Sequence, residues 1–506
     1  MPSRLPPGEH RLTPGTSHPS VTFDPRTNPA MRRPATFATL ALLPTLASAQ
    51  RDPGAAVLQS LDARAAQYAG IAKQIWGFAE VGYQEEQSSA LLQSQLKQAG
   101  FAVQAGVVDE PTGFIASYGS GKPVIGIIGE FDALPGLSQD ATPFKKAIVE
   151  NGAGHGCGHH LFGTASTAAA IAVKEWMQAN NIRGTLRFYG TPAEEGGSGK
   201  VYMVRAGLFK DVDAVVTWHP GDRNMADANS TLANISAKFR FRGVSAHAAG
   251  APERGRSALD GVEAMTHMVN MLREHVPQET RIHYVITNGG RAPNVVPDFA
   301  EVFIYARHND MRILDEIWER IIQASKGAAL GTGTTVEQET IGAVYNVLGN
   351  EYLARVQEKN LKRVGGYTYT PEERTFAQEI RKSMTGELLP LGSEATVIPW
   401  TTMSVDPAST DVGDVSWAVP TVQMSAATWV PGTAAHSWQA VAAGGMSIGA
   451  KGMMVAAKTM TLTTMELFTT PEHLVKAREE FDRRRGPNFA YKTRLDRAKP
   501  ALDYRK

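Results

Sequence analysis

The spacing of apolar positions divides the chain into two patterns. Residues 57–74 and 88–99 repeat apolar side chains at helical spacing, and 124–129 is a continuous aliphatic run of the kind a strand buried on both faces needs. Short apolar runs at 186–189 and 214–218 alternate with helical stretches at 164–178 and 200–206, which predicts βαβ units and a mostly parallel sheet. From 231 to 343 the order changes to strand 235–242, helix 257–274, strand 281–287, strand 301–307, helix 314–326 and strand 334–339. That is a β-α-β-β-α-β insert. Residues 344–480 read as Gly-, Thr- and Trp-rich loops with one late helix, 444–459. The expected fold is therefore α/β, with one larger domain (50–230 and 344–480) interrupted by a smaller one (231–343) and followed by a charged tail, 481–506.

The first fifty residues follow neither pattern. Residues 1–30 are rich in Pro, Ser, Thr and Arg without an apolar period. From Met31, two arginines precede an apolar stretch at 35–47 that ends in Ala47-Ser48-Ala49, the layout of a secretory signal. The expectation is a start at Met31, cleavage after Ala49 and export, with 1–49 absent from the mature chain. The stretch is too short for a bilayer and contains Pro44, so a retained membrane helix is not expected.

At 506 residues, with 42% apolar and 20% charged side chains, the chain has ordinary globular composition. Lys+Arg 51 against Asp+Glu 50 leaves +1, so no global field favours nucleic acid or anionic lipid, and a small-molecule partner is expected. The single cysteine, Cys157, excludes an internal disulfide.

The densest chemistry lies at Asn151-Gly-Ala-Gly-His155-Gly-Cys157-Gly-His159-His160. Three histidines and the only thiol sit among four glycines, a backbone able to wrap a small charge but offering no apolar face to a core. Cys157 and His159 at i, i+2 can converge as metal ligands if the loop turns tightly. His155 and His160 are open, able to orient a ligand or to fill a turn. Glu194 and Glu195 in Thr191-Pro-Ala-Glu-Glu-Gly-Gly197 follow the run at 186–189, and His219 follows the run at 214–218. Loops at the carboxyl ends of adjacent parallel strands lie side by side. Cys, His, Glu and His then form a ligand set, with one Glu left as general base.

These segments, together with Gly129-Glu-Phe-Asp-Ala-Leu-Pro135 and Val244-Ser-Ala-His-Ala-Ala249, resemble in order and spacing the amidohydrolase branch of the aminoacylase/carboxypeptidase metallopeptidases. Within it, Ser409-Thr-Asp-Val-Gly-Asp-Val-Ser-Trp417 and Pro431-Gly-Thr-Ala-Ala-His-Ser-Trp438 are similar to the type that cleaves p-aminobenzoyl-glutamate. The resemblance runs from about residue 54 to 475. It implies that Cys157, His159, Glu195, His219 and His436 hold two divalent ions, manganese or zinc, with Cys157 bridging and Glu194 as general base. It also implies Asp132 behind the ligands, and an insert that acts as a lid or dimerisation domain. From that insert His247 would reach a neighbouring subunit's site and polarise the scissile carbonyl, while Asn294 and Arg307 would bind the substrate carboxylate. The implied assembly is a homodimer or a pairing with a related second subunit, and the implied reaction is hydrolysis of an N-acyl amino acid, p-aminobenzoyl-glutamate first, other N-acyl amino acids or dipeptides next. Where many relatives have Asp after Cys-Gly-His, this chain has His160, which leaves the tuning of His159 open.

Two other readings are weaker. Gly445-Met-Ser-Ile-Gly449 fits a serine nucleophile elbow, but the segment before it does not read as a strand, and only His473 follows, with Glu466 as the acid. A non-catalytic exported binding protein would have no reason to keep Glu194 beside a full ligand set.

Overall fold

A computed structural model describes residues 53–505, so the signal expected over 1–49 lies outside the described residues. In chain order the strands are β1 (Ala102–Ala105), β2 (Phe114–Ser120), β3 (Val124–Glu130), β4 (Gly184–Thr191), β5 (Ala214–Val216), β6 (His219–Gly221) and β7 (Met225–Asp227). The insert adds β8 (Ala233–Arg242), β9 (Arg281–Asn288), β10 (Phe299–His308) and β11 (Thr335–Val344), and β12 (Thr421–Ala427) rejoins the first sheet.

That first sheet runs β1-β2-β4-β3-β5-β12-β6, with β7 also on β12. β3 is parallel to β4 and β5, and β12 is parallel to β5 and β6; β1, β2 and β7 are antiparallel additions. Every residue of β3 is buried, which is why its sequence is a continuous aliphatic run rather than an alternation. Helices His159–Ala179 and Ser447–Thr469 pack side by side against β3 and β12. Phe162, 1% exposed on the first of these, lies 5.6 Å from the Trp218 ring and 6.0 Å from that of His219. Truncating such a side chain to Ala costs about 3–5 kcal/mol, and here it would also loosen the loop carrying His219.

The expected β-α-β-β-α-β insert is present, as an antiparallel sheet ordered β11-β8-β10-β9 with helices Ala258–Leu272 and Met311–Thr332 against it. Along β10 buried residues alternate with half-buried ones from Ala300 to His308, the period of a sheet covered on one face. Ser257 and Asp310 cap the two helices by accepting from Asp260 N–H and Arg312 N–H. The insert's core also takes in Val201 and Tyr202 from before it and Leu495 from the C-terminal segment.

Several expectations need correction. The single helix over 57–74 is two, Pro53–Ala63 and Ala65–Phe78, broken at Arg64. Residues 344–480 are not mainly loops: they hold helices Glu351–Val364, Pro371–Ile380, Val412–Ala418 and Trp438–Gly444, the long Ser447–Thr469, and β12. β12 escapes a hydrophobic-run search because it is built of small and polar residues. Ser447 opens a helix that follows another helix and donates to Glu373 Oε1 at 2.6 Å, so no strand-turn-helix elbow exists there. Residues after helix Pro471–Arg485 pack against both domains, with Tyr491 against the first core and Leu495, 1% exposed, in the insert's core.

Candidate metal centre

The parallel strands β3, β4, β5 and β12 end at the same edge of the sheet, and the chain leaving those ends carries Asp132, Glu194 with Glu195, His219 at the start of β6, and His436. Cys157 and His159 arrive at the same edge from the start of helix His159–Ala179. Between them Gly158 has φ 77°, and a Cβ there would lie 2.7 Å from Pro220 Cβ, so only glycine lets the Cys-Gly-His turn pass the His219 loop. The His436 loop is tied to the same turn by its own N–H, which donates to Gly156 O at 2.9 Å.

Two triads whose ligand atoms lie within 4.8 Å of one another share Cys157: Cys157, His159 and His219, and Cys157, Glu195 and His436. A third group, Glu130, His159 and Glu194, lies as close together and shares His159 with the first. Cys157 Sγ is 3.5 Å from His219 Nε2, and His436 Nε2 is 3.2 Å from Glu195 Oε1. His219 Nδ1 donates to Pro220 O at 2.8 Å, which turns Nε2 to the centre. Asp132 receives His159 Nδ1 at 2.8 Å and Glu195 N–H at 2.9 Å. Asp132 thus does the orienting that the resemblance left open at His160.

This donor set fits divalent cations. Burial pushes the Cys157 thiol far up, and the Glu195 carboxylate adds to it, so a thiolate there needs adjacent positive charge. His159 Nε2 and Glu195 Oε1 are buried without a well-formed hydrogen bond. Burial, then the neighbouring His159, lowers His219 and leaves a neutral imidazole suited to ligation. Burial works against Glu195 ionising, yet His436 and His159 hold it below the usual carboxylate range. Glu194, half-buried, is pushed well up by burial and by the carboxylates of Glu130 and Glu195, so it needs adjacent positive charge to stand ionised.

The sequence model of Peptidase family M20/M25/M40 matches residues 126–440, a span that contains every one of these side chains. The chain belongs to this family. It is 44% identical over 447 residues to the B-type subunit of the p-aminobenzoyl-glutamate hydrolase of Escherichia coli (strain K12), covering 83% of this chain and 93% of that one. With the Xaa-Arg dipeptidase of Homo sapiens it shares 29% identity over 326 residues, 61% of this chain and 70% of the other. In fold it is similar to the YXEP protein of Bacillus subtilis, a dinuclear metal-binding M20 peptidase, with TM-score 0.55 and 16% identity over 81% of this chain and 99% of that one. An aminobenzoyl-glutamate utilization protein from Klebsiella pneumoniae gives TM-score 0.56 at 18% identity, over 81% and 97%.

Within this M20/M25/M40 chain, His155 and His160 stand apart from both triads. Their rings lie 4.8 Å apart, and their Nε2 atoms meet Ile75 O and Gly444 O at 3.1 Å each. Burial lowers His155 to about 4 and His160 well below its usual value, so both are neutral core histidines.

The insert residues do not form a single cluster, and His247 belongs to none of the groups above. His247 is exposed, and its Nδ1 accepts from Ala249 N–H and Gly250 N–H, which leaves Nε2 to carry the proton outward. Asn294 is exposed beside it, its carbonyl accepting from Ala248 N–H. Arg307 lies elsewhere. Register pairs Phe299 with Arg242 near the His247 loop but Arg307 with Asn234 at the far end, on the order of 25 Å along the strand.

Three participants escaped the sequence reading. Glu130 Oε2 lies 3.1 Å from His159 Nε2, and Glu130 Oε1 is 2.7 Å from Lys200 Nζ, which also meets Asp411 Oδ1 at 2.7 Å. Glu130 and Asp411 stand inside motifs quoted above; Lys200 looks like an ordinary helix-surface charge and has no local signal of burial.

Proposed function

We propose that this chain is a metal-dependent amidohydrolase that cleaves the amide of an N-acyl amino acid, with p-aminobenzoyl-glutamate as its first substrate. The observation that carries this is the sharing of Cys157 Sγ by two ligand triads, with the Glu194 carboxylate beside His159 and outside both triads. Cys157, His159 and His219 would hold one divalent ion, and Cys157, Glu195 and His436 the second. Thiolate softness favours zinc, while the imidazoles and carboxylate also accept manganese. Two such cations supply Lewis-acid polarisation of the scissile carbonyl and lower the pKa of a water.

The chain's own groups do the rest. Glu194 takes the proton of the attacking water and returns it to the departing amine nitrogen. Arg307, planar and permanently charged, suits a substrate carboxylate. His247, with its Nε2 proton facing out, is built to donate to a carbonyl oxygen in a second copy of the chain, and with Asn294 to complete that copy's site. A homodimer serves this geometry. The Escherichia coli relative is named as one of two kinds of subunit of its hydrolase, which supports pairing with a second, related chain as the other arrangement. Export through the Ala47-Ser48-Ala49 signal to a periplasmic location belongs to the same proposal.

The test is direct. Full-length protein, stripped and reloaded with Mn2+ or Zn2+, is assayed for release of p-aminobenzoate from p-aminobenzoyl-glutamate, beside N-acetylated amino acids and dipeptides ending in arginine. Hydrolysis that chelator abolishes and metal restores is expected. Chelator-resistant hydrolysis, or none on any of these amides, would overturn the reading.

A further inference from the structure

The turn that presents the two glutamates has unusual backbone. Ala193 and Ser198 take left-handed conformations at φ 54° and 58°, Gly196 has φ 91°, and Glu195 itself has φ −70° and ψ 63°. A four-residue turn of this kind cannot satisfy its own carbonyls by helical hydrogen bonds. Residues distant in sequence do so instead. Tyr83 Oη donates to Gly197 O at 2.9 Å, Tyr504 Oη donates to Glu195 O at 3.0 Å, and the Arg505 guanidinium donates to the same oxygen.

The place of Tyr504 is shaped for it. A Cβ on Gly82 would meet Tyr504 Oη at 2.2 Å and Ala193 Cα at 2.9 Å, so a side chain at 82 would displace the hydroxyl or the Ala193 turn. The Tyr504 ring meets Tyr83 edge-on at 5.8 Å between centroids. The segment reaches this point under several anchors. Tyr491 Oη donates to Asp414 Oδ1 at 2.7 Å, Leu495 is buried in the insert's core, Arg497 pairs with Glu339 of β11 at 2.9 Å, and Gln84 donates to Leu502 O at 2.8 Å.

We infer that residues 486–505 are a strap that positions the metal centre, with Tyr504 and Arg505 as positioning residues that fix the Glu195 carbonyl and thereby aim its carboxylate at Cys157 and His436. This rests on the reading of Glu195 as a ligand. Asp132 holds the N–H of Glu195 and the strap holds its C=O, so the ligand's peptide units are fixed from both sides. Because the strap also bonds β11, it joins the insert to the ligand turn.

Full-length wild type, Tyr504→Phe/Arg505→Met and Tyr504→Phe/Arg505→Lys are stripped of metal and titrated with Zn2+ against a chromophoric competitor. Melting temperatures of the stripped forms and kcat and KM of the reloaded forms are measured beside them. In the Phe/Met variant one of two zinc equivalents should weaken on the order of tenfold or more, the range for groups that orient ligands. Its stripped form should melt as wild type does, and kcat should fall with KM unchanged. The Lys variant should recover part of the affinity, since a cationic donor again faces the carbonyl. Two equivalents at wild-type affinity in the Phe/Met variant would overturn the strap and leave the metal centre standing. A lowered melting temperature with unchanged affinity would also overturn it, as an ordinary structural clamp. A wild type that binds no zinc would overturn both readings.

Discussion

Asp132 Oδ1 stands 2.8 Å from His159 Nδ1 with neither side chain exposed to solvent. The bond fixes His159 with Nε2 toward Cys157, and the other Asp132 oxygen accepts from Glu195 N–H at 2.9 Å, so one carboxylate orients a ligand of each triad. An amide has a single acceptor oxygen and would turn an N–H toward one of those two donors. Asp132→Asn should therefore keep the fold and weaken divalent-metal affinity by about 10–100-fold. Metal titration of the stripped variant, with circular dichroism as the control, checks this; unchanged affinity would remove Asp132 from the support of the site.

The two adjacent glutamates should separate under the same substitution. Glu195→Gln replaces a ligand carboxylate by a neutral, weaker donor, and the variant should lose bound metal. Glu194→Gln leaves both triads intact, so metal content should stay near wild type while kcat falls by on the order of 10²–10⁴, the contribution of a positioned base. KM should change little. Elemental analysis beside steady-state kinetics decides, and a metal-depleted Glu194→Gln with a loaded, inactive Glu195→Gln would reverse the two roles.

How far the site was legible follows from what each residue's surroundings look like in one dimension. The Cys157 loop stands out because four glycines around three histidines serve no core, and Glu194, Glu195 and His219 stand out because aliphatic runs precede them. The insert is legible from alternation such as that of β10. His436 had no such marker. The strand before it, β12, is Thr-Val-Gln-Met-Ser-Ala-Ala, buried between β5 and β6 by its neighbours rather than by its own hydrophobicity, so nothing announced a strand end. The resemblance alone supplied it. The burial of Lys200 and the path of Tyr504 depend on residues far off in sequence and leave no periodic trace.

Lys200 has no exposed surface and lies between Glu130 and Asp411. Lys200→Met would leave two buried carboxylates facing each other, and breaking a buried pair in this way costs about 3–5 kcal/mol. The sign of the pH effect follows from Asp411, which burial already raises to about 6 with the lysine present. Without the cation it rises further, so Asp411 binds a proton in the folded variant more readily than in the unfolded chain. The deficit against wild type should be largest near pH 8 and shrink as pH falls through 6. Denaturant unfolding of the metal-free proteins at pH 8 and pH 5 tests this, and a deficit independent of pH would assign the loss to packing rather than to charge.

Register puts Arg307 at one end of the insert sheet and the loop of His247 at the other, so on the proposed reading one chain would not bring both to the same substrate. Two copies can, if the His247 loop of each meets the metal centre of the other. The consequence is complementation. His247→Ala should lower kcat because the carbonyl loses a hydrogen-bond donor as charge develops on its oxygen, a loss of about 10²–10³-fold for a single such donor. Glu194→Gln should be inactive for lack of a base. In a mixed dimer of the two variants, one of the two sites combines Glu194 from one chain with His247 from the other, and both are intact. Unfolding and refolding the variants together at equal concentrations should therefore restore on the order of a quarter of wild-type activity, since half of the dimers are mixed and each carries one working site. Mass spectrometry of the mixture confirms that mixed dimers have formed. Mixed dimers without recovered activity would mean that His247 serves its own chain or none, and the insert would then have no part in the chemistry of a neighbour.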